Sequence, residues 1–233
     1  MKQLNLFIDA DDTLLDFAVS ETKAITQTLK DYDILSYNGI IESYKRNNLK
    51  AWKLFEKGGI TRDDISTMRF EWVFSEFNIQ GIDLNKINTT YWNYLAKQAY
   101  VIDGAEDFLK HVYGKHNLYV VTNGTAFIQD SRFALSGLDK YFKSRYISEN
   151  LNTRKPEKAF FDYIEKDIKG LDKETSYVIG DSLSSDIQLG INAGVKTIWF
   201  NRDEKQNNKD IEPTYEVRDF YELSNLIDRL SEE

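Results

Sequence analysis

Leu4-Asn5-Leu6-Phe7-Ile8-Asp9-Ala10-Asp11-Asp12-Thr13-Leu14-Leu15 is an apolar run that breaks into carboxylates at its end. Residues 4 to 8 read as a strand buried on both faces, the kind found in a parallel sheet. Ligands of open α/β sheets are handled just beyond the carboxyl ends of such strands. Asp9 and Asp11 stand at that end. On extended chain, residues i and i+2 point the same way, so both carboxylates face one small volume. Two negative charges that close call for a cation. A plain turn also favours Asp, so the rest of the chain has to decide between the two readings.

From residue 118 onward, short β-rich runs alternate with longer helical patterns. The runs are Leu118-Tyr119-Val120-Val121-Thr122, Arg145-Tyr146-Ile147-Ser148, Tyr177-Val178-Ile179-Gly180-Asp181 and Thr197-Ile198-Trp199-Phe200. This alternation predicts a parallel sheet covered by helices on both faces. Thr214-Tyr215-Glu216-Val217-Arg218 adds a candidate strand. Leu223, Leu226, Ile227 and Leu230 at helical spacing predict a last helix over 221–230. The polar stretch from Asn201 to Pro213 reads as a surface loop.

Between the first strand and about residue 100 the texture changes to charged segments with apolar residues three and four apart. These predict helices over 17–31, 37–57, 62–77 and 84–98. Gly58-Gly59 supplies a turn, and Thr61-Arg62-Asp63-Asp64 fits a capping box with Asp in place of Glu. The expected fold class is α/β: a Rossmann-like parallel-sheet core of residues 1–16 and 101–233, interrupted by an all-helical cap at 17–100. The insertion leaves directly after the Asp9/Asp11 site and returns near Asp103-Gly104. That makes it a candidate lid that excludes water, although Trp52, Phe55, Trp72 and Phe74 serve equally well as an ordinary core.

Composition narrows the function. A chain of 233 residues with 41% apolar and 29% charged side chains is globular in type and large enough to bury a core without covalent staples. The absence of cysteine excludes disulfides, thiol nucleophiles and thiolate zinc sites. Met1-Lys2 runs straight into the first strand without a signal peptide, and no stretch approaches the ~20 apolar residues of a membrane span. A cytoplasmic location and no membrane partner are expected. His111 and His116, the two histidines, lie in a polar helix-ending stretch and are expected at the surface. A net charge of −8 with no basic stripe disfavours a nucleic-acid polymer. A small phosphorylated partner remains open, because a local lysine and a divalent cation override the global sign within a Debye length of ~8 Å.

Three further stretches bring chemistry to the same sheet edge. Thr122-Asn123-Gly124-Thr125 ends the second strand run with neutral donors suited to phosphoryl oxygens and a flexible backbone for anion contacts; it is also a good plain turn. Lys155-Pro156-Glu157 precedes a helix, and Lys155 is either a surface lysine or a point charge aimed at Asp9 and phosphate. Gly180-Asp181-Ser182-Leu183-Ser184-Ser185-Asp186 brings two more carboxylates, one of which, or Ser182, would otherwise merely cap a helix. With Asp9 and a backbone carbonyl near Asp11, Asp181 would make the oxygen-rich site that Mg²⁺ prefers. Asp186 would orient that shell or hold Lys155.

Asp-x-Asp-x-Thr, Thr-Asn-Gly, Lys-Pro and Gly-Asp-x-x-x-x-Asp, in this order and each at an element edge, resemble the four motifs of the haloacid-dehalogenase-like phosphatase superfamily. The resemblance covers nearly the whole chain, helical cap included. Asp12, where most members carry Gly, resembles the subgroup of noncanonical pyrimidine nucleotidases. So do Asn48 with Trp52 to Glu56, Gly59-Ile60-Thr61, Arg69-Phe70, Asp103-Gly104-Ala105, the run Gln129 to Leu138, and Thr197 to Asn201. Arg154 departs from the pattern, since many relatives have a smaller residue before the lysine, and this bears on access to Lys155.

The resemblance implies a Mg²⁺-dependent phosphomonoesterase acting on nucleoside 5′-monophosphates, pyrimidine ones first, through an aspartyl-phosphate on Asp9. Asp11 would act as acid, then as base. Thr122, Asn123 and Lys155 would hold the phosphoryl group, Asp9, Asp11 and Asp181 the metal, and Asp186 would stand behind them. Phe17, Trp52 and Arg69 are candidates for base selection. The alternatives are a phosphatase or phosphomutase of sugar phosphates or other small phosphometabolites and, outside enzymes, a phospho-accepting receiver. A dehalogenase of this fold lacks the Asp11 carboxylate.

Overall fold

Leu4, Leu6 and Ile8 fall on one side of the first strand and Phe7 on the other, and all four are fully buried. This strand, β1 (Asn5–Ile8), opens a computed structural model that describes residues 2–207 and 210–233. Two compact units emerge from it, Met1–Asp16 with Tyr100–Glu233, and Phe17–Ala99.

The Phe17–Ala99 unit is four helices: α1 (Phe17–Asp31), α2 (Ile40–Glu56), α3 (Arg62–Phe77) and α4 (Leu84–Leu95). α3 starts on the capping box: the Thr61 hydroxyl accepts from the Asp64 amide at 3.2 Å and the Asp64 carboxylate accepts from the Thr61 amide at 2.7 Å. α2 begins three residues later than the spacing suggests, because Gly39 is left-handed, at φ 80°, and starts the helix there. α4 stops at Leu95, with Ala96 to Gln98 closing it in turns. α1 packs on α4 and α2 on α3, around the rings of Tyr44, Phe70 and Tyr91 with centroids 5.1 to 6.2 Å apart. Arg69, a candidate for base selection, is instead an interior residue of this unit, 3% exposed. Phe17 and Trp52 are half-buried.

The chain leaves and re-enters the larger unit side by side, with the Asp16 amide on the Tyr100 carbonyl and the Ile102 amide on the Leu14 carbonyl. It continues as α5 (Ala105–Val112), β2 (Asn117–Thr122), α6 (Ala126–Ser136), β3 (Ser144–Ile147), α7 (Ser148–Leu151), α8 (Lys158–Asp167) and β4 (Ser176–Gly180). A π-turn over Leu183–Ile187 leads into α9 (Gln188–Ala193), then β5 (Lys196–Phe200), β6 (Tyr215–Val217) and α10 (Phe220–Glu232). The six strands are parallel in the order β3-β2-β1-β4-β5-β6. One face packs Leu6, Ile8, Val120 and Ile179 against Phe108, Phe133, Leu223 and Ile227. The other packs Phe7, Val121 and Val178 against Phe160, Phe161, Ile164 and Leu189. Each such side chain contributes roughly 1.5–3 kcal/mol on burial.

This order sets the site. The chain builds outward from β1 through β2 to β3, then crosses back to lay β4 on the other side of β1. The direction reverses beside β1, where crevices form beyond the carboxyl ends, and Asp9 follows Ile8 there. His116 corrects the surface expectation: it is 5% exposed, and its Nδ1 accepts from the Leu4 amide at 3.2 Å. That amide needs a buried acceptor where β1 begins. The polar stretch 201–213 has no regular structure where described; positions 208 and 209 lie outside the described residues. Among the described residues, no helix is long and apolar enough to cross a membrane.

Candidate active site

The Asp9 amide extends the β1–β4 ladder onto the Ile179 carbonyl at 2.8 Å, which points the Asp9 side chain inward at 6% exposure. The chain then curls tightly, with the Leu14 and Leu15 amides both on the Ala10 carbonyl and Asp12 left-handed at φ 60°. Gly or a short polar residue such as Asp tolerates that conformation. At the end of β4, Gly180 is required by crowding, since a Cβ there would run into the Asp186 carboxylate. In the π-turn, the Asp186 and Ile187 amides share the Ser182 carbonyl, and Asp186 Oδ2 accepts from the Ser182 amide at 3.1 Å.

Lys155 joins these two ends. It is 1% exposed and donates to Asp9 Oδ1 at 2.5 Å, to Asp186 Oδ1 at 2.6 Å and to the Val121 carbonyl at 2.9 Å, which uses all three ammonium hydrogens. Burial opposes its charge, but Asp186 and Asp9 outweigh burial and hold the ammonium above the ordinary lysine range. Asn123 sets the backbone of Lys155 with both ends of its amide, donating to the carbonyl and accepting from the N–H, each at 2.9 Å.

Asp9, Asp181 and Asp186 place one carboxylate oxygen each within 4.8 Å of one another. Three carboxylates against one buried ammonium leave a local excess of negative charge. Burial pushes Asp9 well above the usual carboxylate range, Lys155 opposes this, and Asp186, Asp181 and Asp11 add to it. Asp181 is pushed up to about 7 by burial, with Asp186 and Asp12 adding and Lys205 opposing. An all-oxygen donor set with excess negative charge suits a hard divalent cation such as Mg²⁺.

The second half of the site hangs on α6. Gln129 and Arg132 are fully buried and both reach Asp11: Gln129 Nε2 donates to Oδ2 at 2.7 Å, and Arg132 Nη1 pairs with Oδ1. Thr122 Oγ1 accepts from the Gly124 amide and from Gln129 Nε2, each at 3.0 Å. Thr13 accepts from the Asp181 amide at 3.1 Å, and the Trp199 indole donates to the Asp181 carbonyl at 2.8 Å.

Residues 6–200 match the model of the haloacid dehalogenase-like hydrolases. The chain belongs to this family. Over 225 residues, 96% of this chain and 94% of the relative, the hydrolase is 39% identical to the pyrimidine 5′-nucleotidase PynA of Streptococcus pneumoniae. It is 30% identical to the pyrimidine 5′-nucleotidase YjjG of Escherichia coli, covering 95% of this chain and 96% of that one. The crystal structure of the HAD-hydrolase YfnB of Bacillus subtilis, bound to magnesium, superposes with a TM-score of 0.91 at 35% identity, covering 98% of this chain and 100% of that one.

Within this hydrolase, Asp9, Lys155, Asp181 and Asp186 come together around one point. Thr122 and Asp11 are linked to each other through Gln129. Asn123, expected on phosphoryl oxygens, holds the Lys155 backbone with its side-chain amide, and Arg154 pairs with Glu157 at 3.0 Å. Thr13 closes the Asp-x-Asp-x-Thr motif, and Gln129, Arg132 and Trp199 lie in stretches that carried the subgroup resemblance without an assigned role, whereas Lys205 belongs to no motif. Lys205 reaches Asp181 at 3.3 Å, its backbone clamped by both ends of the Asn201 amide. Besides the resemblance of the run Gln129 to Leu138, the i, i+3 spacing of Gln129 and Arg132 was a signal, since it places two polar residues on one helix face.

Proposed function

We propose that this hydrolase is a Mg²⁺-dependent phosphomonoesterase that cleaves nucleoside 5′-monophosphates, pyrimidine ones first, through an aspartyl-phosphate on Asp9. The observation that carries it is the convergence of Asp9 and Asp186 on Lys155 with a carboxylate oxygen of Asp181 within 4.8 Å of theirs, and Asp11 held as a separate carboxylate from the loop after β1. Two relatives that match nearly end to end and are named pyrimidine 5′-nucleotidases support the substrate class.

A carboxylate oxygen of Asp9 attacks phosphorus, and the bond to the ribose oxygen breaks as that oxygen takes a proton from Asp11. Asp11, now ionised, takes a proton from water, whose oxygen attacks the same phosphorus and frees Asp9 with release of inorganic phosphate. Lys155 offsets charge on Asp9 and on the phosphoryl oxygens, and Thr122 donates to one of them. Asp9, Asp181 and a backbone carbonyl near Asp11 would hold the ion, with Asp186 behind them; bound Mg²⁺ supplies positive charge to the transferring group.

The test is phosphate release from a panel of pyrimidine and purine nucleoside monophosphates and sugar phosphates, with Mg²⁺ or with EDTA. The expected result is Mg²⁺-dependent release led by UMP, dUMP or dTMP, and its loss in Asp9→Asn, a nearly isosteric change. Faster turnover of sugar phosphates would overturn the substrate class, and no release from any monoester would overturn the reaction.

A further inference from the structure

We infer that Gln129 and Arg132 are positioning residues that hold Asp11 for proton transfer and fix the direction of the Thr122 hydroxyl; the inference rests on the phosphomonoesterase reading above. Asp11 lies beyond the end of β1, and at 28% exposure its side chain borders solvent. What fixes it is one turn of α6, a helix that begins four residues after the end of β2. Each carboxylate oxygen has its own donor from that turn, Gln129 on Oδ2 and Arg132 on Oδ1. A carboxyl held at both oxygens has lost its rotation about the terminal torsion. Proton donation to a leaving oxygen needs that restriction, because general acid–base catalysis is worth about 10²–10⁴-fold only when the group is in place.

The Gln129 amide has a fixed sense. Its oxygen faces Arg132 Nη1 at 3.4 Å, which leaves Nε2, with two hydrogens, for two acceptors: Asp11 at 2.7 Å and Thr122 Oγ1 at 3.0 Å. Thr122 Oγ1 also accepts from the Gly124 amide, so both of its acceptor positions are filled and its own proton must point away from both donors. A hydroxyl so constrained is a committed donor, as a phosphoryl oxygen requires. Gly124 fits the same picture: a Cβ there would overlap the Gln129 side chain, so backbone and amide are packed without slack. One amide thus couples the acid–base carboxylate to a phosphoryl donor.

The experiment compares leaving groups. The ribose oxygen of a nucleoside monophosphate needs a proton as it departs, whereas 4-nitrophenolate departs without one. In Arg132→Met, kcat on UMP is expected to fall about 10²-fold, in line with a displaced catalytic group, with KM little changed. The burst of 4-nitrophenolate from 4-nitrophenyl phosphate is expected to stay within a few-fold of wild type. Arg132→Lys recovers part of the loss. Gln129→Met, which also releases Thr122, raises KM for UMP as well as lowering kcat. Both substrates are measured on one preparation, so their ratio does not depend on how much of a variant is folded. Equal losses on the two substrates, or no loss on either, would overturn the positioning role while leaving the phosphatase reading intact. A wild-type enzyme that cleaves neither ester would remove both.

Discussion

Lys155 donates every hydrogen of its ammonium inside the protein, two of them to carboxylates that are themselves buried. Removing one partner of such a cluster strands the others, which costs about 3–5 kcal/mol. Lys155→Met in metal-free buffer is therefore expected to lower the unfolding free energy from urea titration by that amount, and a second change, Asp186→Asn, to restore part of it; an unfolding free energy unchanged within error would contradict the burial of these charges. His116 makes the opposite use of burial. Its surroundings, burial first, then Lys115 and His111 against Asp228, lower its affinity for protons from the ordinary 6.5. The unfolded chain then binds more protons than the folded one, so stability is full above 6.5 and is lost as pH falls toward the lower folded value. His116→Asn keeps an acceptor for the Leu4 amide and cannot titrate. Unfolding free energies of the two proteins should converge, then cross, as the buffer is taken below 6.5, and parallel curves would refute this.

At the scale of elements, the Phe17–Ala99 helices are joined by a buried polar chain with one residue from each: Glu21 of α1, Asn48 of α2, Arg69 of α3 and Asn88 of α4. Asn48 donates to Glu21 at 2.6 Å, and Arg69 donates to Asn48 at 2.8 Å and to Asn88 at 2.5 Å. Arg69→Met orphans two amide oxygens, at about 1–3 kcal/mol each, so thermal unfolding followed by circular dichroism should show a loss of roughly 3 kcal/mol, whereas exposed Lys57→Met should move it by less than about 0.5 kcal/mol. The helices themselves were readable because their signals are local. α3 begins and ends as the Thr61 box and the apolar spacing require, while the start of α2 depended on the backbone of Gly39, which the spacing does not encode. The buried partners of Arg69 were not legible because they lie 19 and 21 residues away. Gln129 and Arg132, noted within the run Gln129 to Leu138, received no role for the same reason, their partner Asp11 being 118 and 121 residues distant. Asp9 and Asp181 were legible because each ends a strand run, and parallel strands deliver their carboxyl ends to one edge, while Lys155 was legible from Lys-Pro in the loop before α8.

For the whole molecule, strand order was the illegible part, since crossovers decide which strand lies beside β1 and alternation says only that they are parallel. That order concentrates charge: a chain with a net −8 gathers Asp9, Asp181 and Asp186 where, among the described residues, Lys155 and, from the surface, Lys205 oppose them. Lys205 is half-exposed and held by Asn201 with its ammonium on Asp181, so it competes by charge with any cation that Asp181 would hold. A cation that binds only the folded chain raises its stability by RT ln(1 + [L]/Kd), about 2.7 kcal/mol at a hundredfold excess over Kd. Mg²⁺ titrated into metal-free protein should therefore raise the unfolding temperature. Lys205→Met should reach half of that rise at a lower Mg²⁺ concentration, because one competing charge is gone, and Asp181→Asn should abolish the rise. If Lys205→Met weakened binding, the lysine would be a support of the cation site instead of its competitor; if Asp181→Asn left the rise untouched, the cation would bind elsewhere than at these carboxylates.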